Sequence, residues 1–297
     1  MKRRKEILLF TLAGLLVIHP AALLHAQQPQ TKHSLWKVQG RTNEAYLFGS
    51  IHFLKKDFYP LAQPIENAYR QSQVVVFEAD LEQLQAPQTQ LKMLEVGKYP
   101  GGETLKQNLS RDTYAKLEAY LSQSLGSAEL FDSLRPWMVA VALLGLELQK
   151  LGFNPEQGVD KYFFDKVKRD QKQIVPLETV EFQLGLFAGL SKEEEEAVLK
   201  EMLQEIGSFK KMLSEITEAW KTGDTKKLDE LTLDAMRQFP QIHKKMLIDR
   251  NKLWADKIET LLAEGKNVFV VVGAAHLVGK DSVVDLLTKK GLKVQQL

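Results

Sequence analysis

Four short apolar runs have the length and the β-branched content of buried strands. Two of them break at Gly49 and Gly273, and a histidine lies three residues beyond each glycine. The other two run directly into a glutamate. Because parallel strands present the residues at their carboxyl ends along one edge of a sheet, we expect the four polar side chains to meet there. These side chains are His52, Glu78, Glu178 and His276.

The remaining hydrophobic pattern predicts a strand-rich N-terminal segment, a helical central segment and a C-terminal βαβ unit. Strands are predicted at 35–39, 44–48, 74–77, 174–177, 268–272 and 292–296. Helices are predicted at 65–72, 110–124, 134–151, 159–170, 191–220 and 282–290, with two more between 224 and 265, and 87–103 is predicted to be irregular. This order indicates an α/β fold, with a central, mostly parallel sheet flanked by helices and a helical insertion over about 105–265. The residues expected in its core include Trp36, Val75, Phe77, Trp137, Val270 and Val272.

The first 26 residues have the layout of an export signal. A basic stretch at 2–5 precedes an apolar stretch at 7–18, Pro20 and a small-residue cleavage point before Gln27. We therefore predict a single α/β domain over 27–297, in a periplasmic or secreted protein. An uncleaved anchor is the alternative, although the apolar stretch is shorter than the roughly 20 residues that span a bilayer.

Charge and cysteine content narrow the function classes. Without the signal the chain has 36 basic and 37 acidic residues, because residues 1–26 hold four of the 40 basic residues and one of the 38 acidic residues. No basic stripe of the kind that binds nucleic acid is present. The absence of cysteine excludes disulfides, thiolate metal sites, a cysteine nucleophile and a cysteine-linked lipid anchor. We expect a peptide or small-molecule substrate, and membrane contact only through the signal segment.

Imidazole and carboxylate groups at one sheet edge favour a metal or acid/base centre. His52, Glu78 and His276 are the candidate ligands of a divalent metal. Zinc, manganese and cobalt all accept nitrogen and oxygen donors without sulfur. Glu178 and Glu181 lie three residues apart and face one way if a helix begins near them, so either is a candidate proton shuttle.

Each candidate also has a purely structural explanation. One Gly-x-x-His histidine is more often a hydrogen-bonded turn residue than a ligand, but two in the same context favour a site. Glu78 could cap the next segment, and Glu181 could be a first-turn acid favoured by the helix dipole. Arg250 lies among lysines and is most simply a surface cation. His33 and His243 are interpreted as solvated side chains.

Several motifs together resemble the TraB/GumN family, which includes the Tiki metalloproteases, over nearly all of residues 35–297. The resemblance implies a fold akin to erythromycin-esterase-like and ChaN-like proteins. It also implies a site formed by His52, His276, Glu78, Glu178 or Glu181, and Arg250. The matching segments are Leu35–Val38, Phe48–His52, Phe58–Leu61, Val76–Asp80, Arg135–Trp137, Gly158–Asp160, Leu177–Thr179, Asp249–Asn251 and Val272–Gly279.

Three functional hypotheses follow. The first is a metal-dependent hydrolase, in particular a peptidase, in which Arg250 stabilises a developing oxyanion and a glutamate moves the proton. The second is a non-catalytic module that binds a metal, haem or a peptide. The third is a metal-free hydrolase with His52 as the general base. Metal content separates the first from the third, and turnover separates both from the second.

Overall fold

Six strands form one mixed sheet in the computed structural model, which describes residues 31–123 and 126–297. The predicted signal segment lies outside these described residues. The strands are β1 (Leu35–Gln39), β2 (Glu44–Ser50), β3 (Val74–Phe77), β4 (Gln173–Pro176), β5 (Val268–Gly273) and β6 (Lys293–Gln296). All six predicted strands are therefore present, with bounds that differ from the prediction by at most two residues.

The sheet order is β4-β3-β5-β2-β1-β6. Strands β4, β3, β5 and β2 are parallel to one another, whereas β1 is antiparallel to both β2 and β6. The four apolar runs of the sequence are thus consecutive parallel strands, as predicted. Their carboxyl ends lie along one edge, and β5 is central because Val268 pairs with both Ala45 and Val74.

Helices cover the sheet and form most of the segment between β3 and β5. Two predictions were wrong here. Residues 87–96 form a helix, although this stretch was predicted to be irregular. None of the helix residues is buried, so the sequence shows little hydrophobic periodicity there. The helix predicted at 191–220 is two helices separated at 206–208, where Gly207 has a low helix propensity. The helices are α1 (Gln63–Gln71), α2 (Leu81–Gln85), α3 (Pro87–Val96), α4 (Leu105–Asn108), α5 (Arg111–Ser122), α6 (Pro136–Lys150), α7 (Val159–Asp170), α8 (Val180–Ala188), α9 (Lys192–Glu205), α10 (Phe209–Thr222), α11 (Thr225–Arg237), α12 (Pro240–His243), α13 (Asp249–Ala263) and α14 (Val283–Lys289).

The main hydrophobic core lies on the sheet, and a smaller one lies among the helices. All six residues predicted to be in the core are at most 5% exposed. The smaller cluster joins α4, α5, α6 and α9 through residues such as Leu117, Leu143 and Leu199. Within the described part of the chain, no helix is both long and apolar enough to cross a membrane.

Candidate active site

The two Gly-x-x-His corners lie side by side because β2 and β5 are adjacent and parallel. A Cβ added to Gly49 would lie 3.1 Å from both Cα and Cβ of Ala274. This separation is tighter than ordinary carbon contacts, so a glycine at position 49 lets the two corners approach. The close packing brings the segments that carry His52 and His276 to the same edge.

Three predicted side chains surround the α-carbon of Gly273. A Cβ at this position would lie 3.3 Å from Glu78 Oε1, 3.6 Å from His276 Cδ2 and 3.8 Å from His52 Nε2. The Gly273 amide also donates to Glu78 Oε1 at 2.7 Å. The missing side chain therefore leaves a small space bounded by two imidazoles and one carboxylate.

His52 is the exposed histidine of the pair and is held by a carboxylate. Its side chain is 58% exposed, and Nδ1 lies 2.8 Å from Asp160 Oδ2. The Ser50 hydroxyl donates to the other Asp160 oxygen at 3.0 Å. The negative charge of Asp160 outweighs desolvation and raises the pKa of His52 to about 9. His52 therefore carries a proton at neutral pH, with Nδ1–H donating to Asp160.

His276 is buried and neutral. The residue is 5% exposed, and its Nδ1 lies 2.6 Å from Asn251 Oδ1. Arg250 Nη1 lies 3.3 Å from its Nε2. Because Arg250 can only donate, His276 accepts at Nε2 and donates from Nδ1 to Asn251. Burial lowers the pKa of His276 to about 3, so the two histidines of the same motif have opposite charge states.

Arg250 is a buried guanidinium whose donors all face protein acceptors. Nε and Nη2 donate to Glu178, and Nη2 also donates to Glu78 at 2.8 Å. Nη1 donates to the Met246 carbonyl at 2.9 Å and to His276. Met246 belongs to a π-helical segment, Lys244–Ile248, that leads into α13, and such segments are frequent at functional sites. The predicted oxyanion role of Arg250 would require it to exchange one of these partners.

The two glutamates have different surroundings. Burial opposes ionisation of Glu78, but the positive groups around it and the Gly273 amide lower its pKa to about 2. Glu178 accepts from Arg250, from Gln183 at 2.8 Å and from Trp254 Nε1 at 3.1 Å. Glu178 is thus a fully bonded anchor for the guanidinium. Its predicted role in proton transfer stays a prediction.

The structure brings five predicted residues together, but Glu181 lies apart from them. The five are His52, Glu78, Glu178, Arg250 and His276. Glu181 is exposed in the first turn of α8, which Thr179 caps, and among the described residues no hydrogen bond joins it to the cluster. Its position agrees with the structural explanation of a first-turn acid.

Sequence reasoning missed three supporting residues. Asp160 and Asn251 orient the two imidazoles. Trp254 donates to Glu178, and its ring lies 4.3 Å from the His276 ring and 4.6 Å from Arg250 Cζ. Asp160 and Asn251 are the last residues of two segments that resemble the family, and this was the signal that could have assigned them a role.

The donor set suits a divalent metal, but the donors do not converge on one point. Over residues 31–123 and 126–297, no group of three or more His, Asp or Glu side chains has the geometry to hold a metal ion. His276 Nε2 is directed at Arg250, and both oxygens of Glu78 already accept hydrogen bonds. In contrast, His52 has the carboxylate partner on Nδ1 that commonly orients a metal-binding histidine.

The cluster opens to solvent through a cleft of about 480 Å³, here called the site cleft. His52, Glu78, Asp160 and Gln183 form its polar end. Its apolar wall comes from Leu81, Leu84 and Met93 of helices α2 and α3. A substrate in this cleft would meet His52 and Glu78 directly, whereas Arg250 lies behind them.

Comparison with known proteins assigns the chain to a family. The sequence model of the TraB/PrgY/gumN family matches residues 34–296. The chain belongs to this family. The match includes both Gly-x-x-His corners and every residue of the cluster, so the resemblance inferred from short motifs is confirmed. No solved structure was found to match the chain.

The curated relatives are of two kinds. The Escherichia coli (strain K12) protein named "Uncharacterized protein YbaP" is 26% identical over 82% of this chain and 87% of its own length. Human "Metalloprotease TIKI1" is 22% identical over 92% of this chain and 63% of its own length. The "Metalloprotease TIKI homolog" of Nematostella vectensis is 25% identical over 88% of this chain and 66% of its own length. The chain thus spans about two thirds of the length of these metalloproteases.

Proposed function

We propose that the protein is a metal-dependent hydrolase that cleaves peptide bonds, with its centre at the sheet edge around Gly273. The observation that carries this proposal is that His52, Glu78 and His276 all lie around that glycine, with a separate orienting partner for each imidazole. The names of the Tiki relatives support a metalloprotease activity.

The proposed metal ligands are His52, Glu78 and His276. A bound zinc, manganese or cobalt ion would supply Lewis acidity and lower the pKa of a coordinated water. His276 is already neutral, as a ligand must be, but its Nε2 must exchange Arg250 for the metal, and His52 must release its proton to bind. Asp160 would keep His52 Nε2 facing the cleft, and Asn251 would fix the His276 ring.

The remaining side chains hold this arrangement in place. Arg250 and Glu178 act as positioning residues, because Arg250 bonds both Glu78 and His276 while Glu178 bonds Arg250 and Trp254. Removing either should change the placement of Glu78 and His276 without removing a proposed ligand. We expect such variants to lose turnover more than metal content.

A metal-free hydrolase is the second candidate, and the His52–Asp160 ion pair favours it. A histidine held by a carboxylate is the usual pair in general base catalysis. Because the pKa of His52 is raised to about 9, this base would be protonated at neutral pH. Metal-free activity should therefore rise as the pH approaches 9. The third possibility, a non-catalytic binding module, predicts no turnover at any pH.

The deciding experiment combines elemental analysis with a peptide and ester hydrolysis screen. We expect the purified protein to retain a divalent metal, to lose activity with a chelator and to regain it with Mn²⁺, Co²⁺ or Zn²⁺. His52→Ala, His276→Ala and Glu78→Gln should each abolish metal retention and turnover while the fold persists. His243→Ala, outside the cluster on α12, is the matched control. Full metal content and full activity in both cluster histidine variants would overturn the proposal.

A further inference from the structure

A second apolar depression adjoins the site cleft. This side cavity has a volume of about 630 Å³ and lies between α6 and the segment that follows His52. Its walls are mostly apolar and aromatic, and they include Phe53, Phe131, Ala142, Leu146, Phe153 and Pro155. Nothing in the proposed chemistry uses these side chains.

The side cavity and the site cleft share two residues. Phe53 and Pro155 line both spaces, and Phe53 directly follows His52 in the chain. A ligand that contacts His52 can therefore extend past this shared wall into the side cavity. The polar residues Glu156, Asp160 and Lys161 lie along the cleft beside that wall. The two spaces together thus combine apolar walls with a polar stretch, which Glu156, Asp160 and Lys161 form.

The shared wall is fixed by backbone contacts. Leu54 and Asn154 form an antiparallel bridge with N···O distances of 3.3 and 3.0 Å. Lys55 Nζ lies 4.7 Å from the centre of the Phe153 ring, which adds a cation–π contact. The side cavity is therefore held at a set position relative to His52 before any ligand arrives.

We infer that the side cavity is a specificity subsite that takes a bulky apolar side chain of an extended polypeptide whose backbone lies along the site cleft. This inference rests on the proposed function, because it names the substrate class of the same centre. A polypeptide matches the lining, since its backbone can bond the polar stretch while side chains enter the apolar zones. A single acyl chain could fill the side cavity, but it carries no backbone groups that could bond the polar residues of the site cleft.

Gly145 provides a way to fill the side cavity without disturbing the fold. It lines the side cavity on α6, and no heavy atom lies within 4 Å of a Cβ placed there. Gly145→Phe should therefore project into the open space, and Gly145→Leu is a smaller second variant. Gly185 on α8 also has no atom within 4 Å of its Cβ position and lies outside both spaces, so Gly185→Phe is the matched control.

The experiment measures binding separately from cleavage. Two fluorescein-labelled Gly-Ser peptides, one with a single phenylalanine and one with serine in its place, are titrated by fluorescence anisotropy against the purified protein. We expect the phenylalanine peptide to bind about 10- to 100-fold more tightly, the range for burying one large apolar side chain. Gly145→Phe and Gly145→Leu should reduce this preference, and Gly185→Phe should keep it.

The outcomes separate the subsite from the proposed function. A preference for the phenylalanine peptide that is lost in Gly145→Phe supports the subsite. This holds even if neither peptide is cleaved, because the absence of cleavage would count only against the proposed peptidase activity. Three results would each overturn the subsite. They are cleavage of both peptides without a preference for phenylalanine, a preference that persists in folded Gly145→Phe and Gly145→Leu, and no peptide binding to the unmodified protein. Displacement of the labelled phenylalanine peptide by a much lower concentration of dodecanoate than of the same peptide without its label would assign the cavity to an acyl chain and overturn the subsite too.

Discussion

The charge of each histidine in the cluster around Gly273 depends on its neighbours and not on the motif that both share. Asp160 stabilises the protonated form of His52, whereas burial beside Arg250 leaves His276 neutral. The two imidazoles around Gly273 therefore differ in charge, one protonated and one neutral at neutral pH. The two roles depend on Asp160 and Asn251 as much as on the histidines themselves.

Asp160→Asn tests this dependence. Without the negative charge, the pKa of His52 should fall from about 9 toward its usual value of 6.5, as followed by NMR titration of the metal-free protein. In the unmodified protein the ion pair stabilises the fold fully below pH 6.5, and this contribution is lost as the pH rises through about 9. We also expect metal affinity or turnover to fall about 10- to 100-fold. An unchanged His52 titration would show that Asp160 does not control it.

Arg250→Met tests the buried charge network. It would leave Glu78 and Glu178 close together without their cation, and removing one partner of a buried pair typically costs about 3 to 5 kcal/mol. Urea denaturation should show a loss of this size in the free energy of unfolding. Arg237→Met is the control, because its pairs with Asp229 and Asp234 are more exposed and should cost at most about 1 kcal/mol. Equal losses in the two variants would contradict the argument.

Strand order accounts for the residues that sequence reasoning placed correctly. His52, Glu78, Glu178 and His276 follow four strands whose apolar pattern is readable, so their meeting point follows from parallel pairing. Asp160 and Asn251 lie on helices, and Asp160 is 108 residues from its partner His52. No local pattern specifies how those helices pack against the sheet edge, so their roles could not be derived from spacing.

Among the elements, the loop before α7 packs directly against the His52 corner. Val159 donates a backbone hydrogen bond to Ile51 at 3.0 Å, and a Cβ on Gly158 would lie only 2.1 Å from the His52 carbonyl oxygen. Only glycine fits this contact without a shift of the backbone. The corner and the start of α7 are therefore one packed unit, and this packing places Asp160 beside His52.

Gly158→Ala should separate the two segments. Overpacking typically costs about 1 to 3 kcal/mol, and here the collision is with backbone that cannot rotate away. We expect lower stability by urea denaturation together with weaker metal retention. Gly145→Ala is the opposite case, because its helical position has open space around the Cβ. We expect its free energy of unfolding to rise by about 0.5 to 1 kcal/mol. If Gly158→Ala left both the stability and the metal retention unchanged, the loop would be free to move away from the His52 corner.

The helical segment 105–171 should not fold by itself. Its cluster among α4, α5 and α6 is completed by Leu199 and Leu203 of α9, which the fragment lacks, while Leu148 of α6 packs into the main core. We expect the isolated fragment to unfold without a cooperative transition in circular dichroism, and truncation before Val268 to prevent folding of the whole chain. A cooperative transition of the fragment would instead identify a separate domain.

At the scale of the whole molecule, we propose that the protein is exported and loses its first 26 residues. The basic, apolar and small-residue order of that segment is the basis of the prediction. Mass analysis of the protein from its native host should find a mature N-terminus at or near Gln27 in the soluble exported fraction. An intact Met1 in the cytoplasm would refute both the cleavage and the location.

The position of β5 also has a consequence for the order of synthesis. This central strand begins at Val268, about nine-tenths of the way along the chain, yet it separates β3 from β2 in the sheet. Until the ribosome has made it, the earlier strands have no shared partner, and neither the sheet nor the His276 corner can form. Folding through such distant pairings is slow. The topology thus delays assembly of the site until β5 has been made, which would suit the export proposed above.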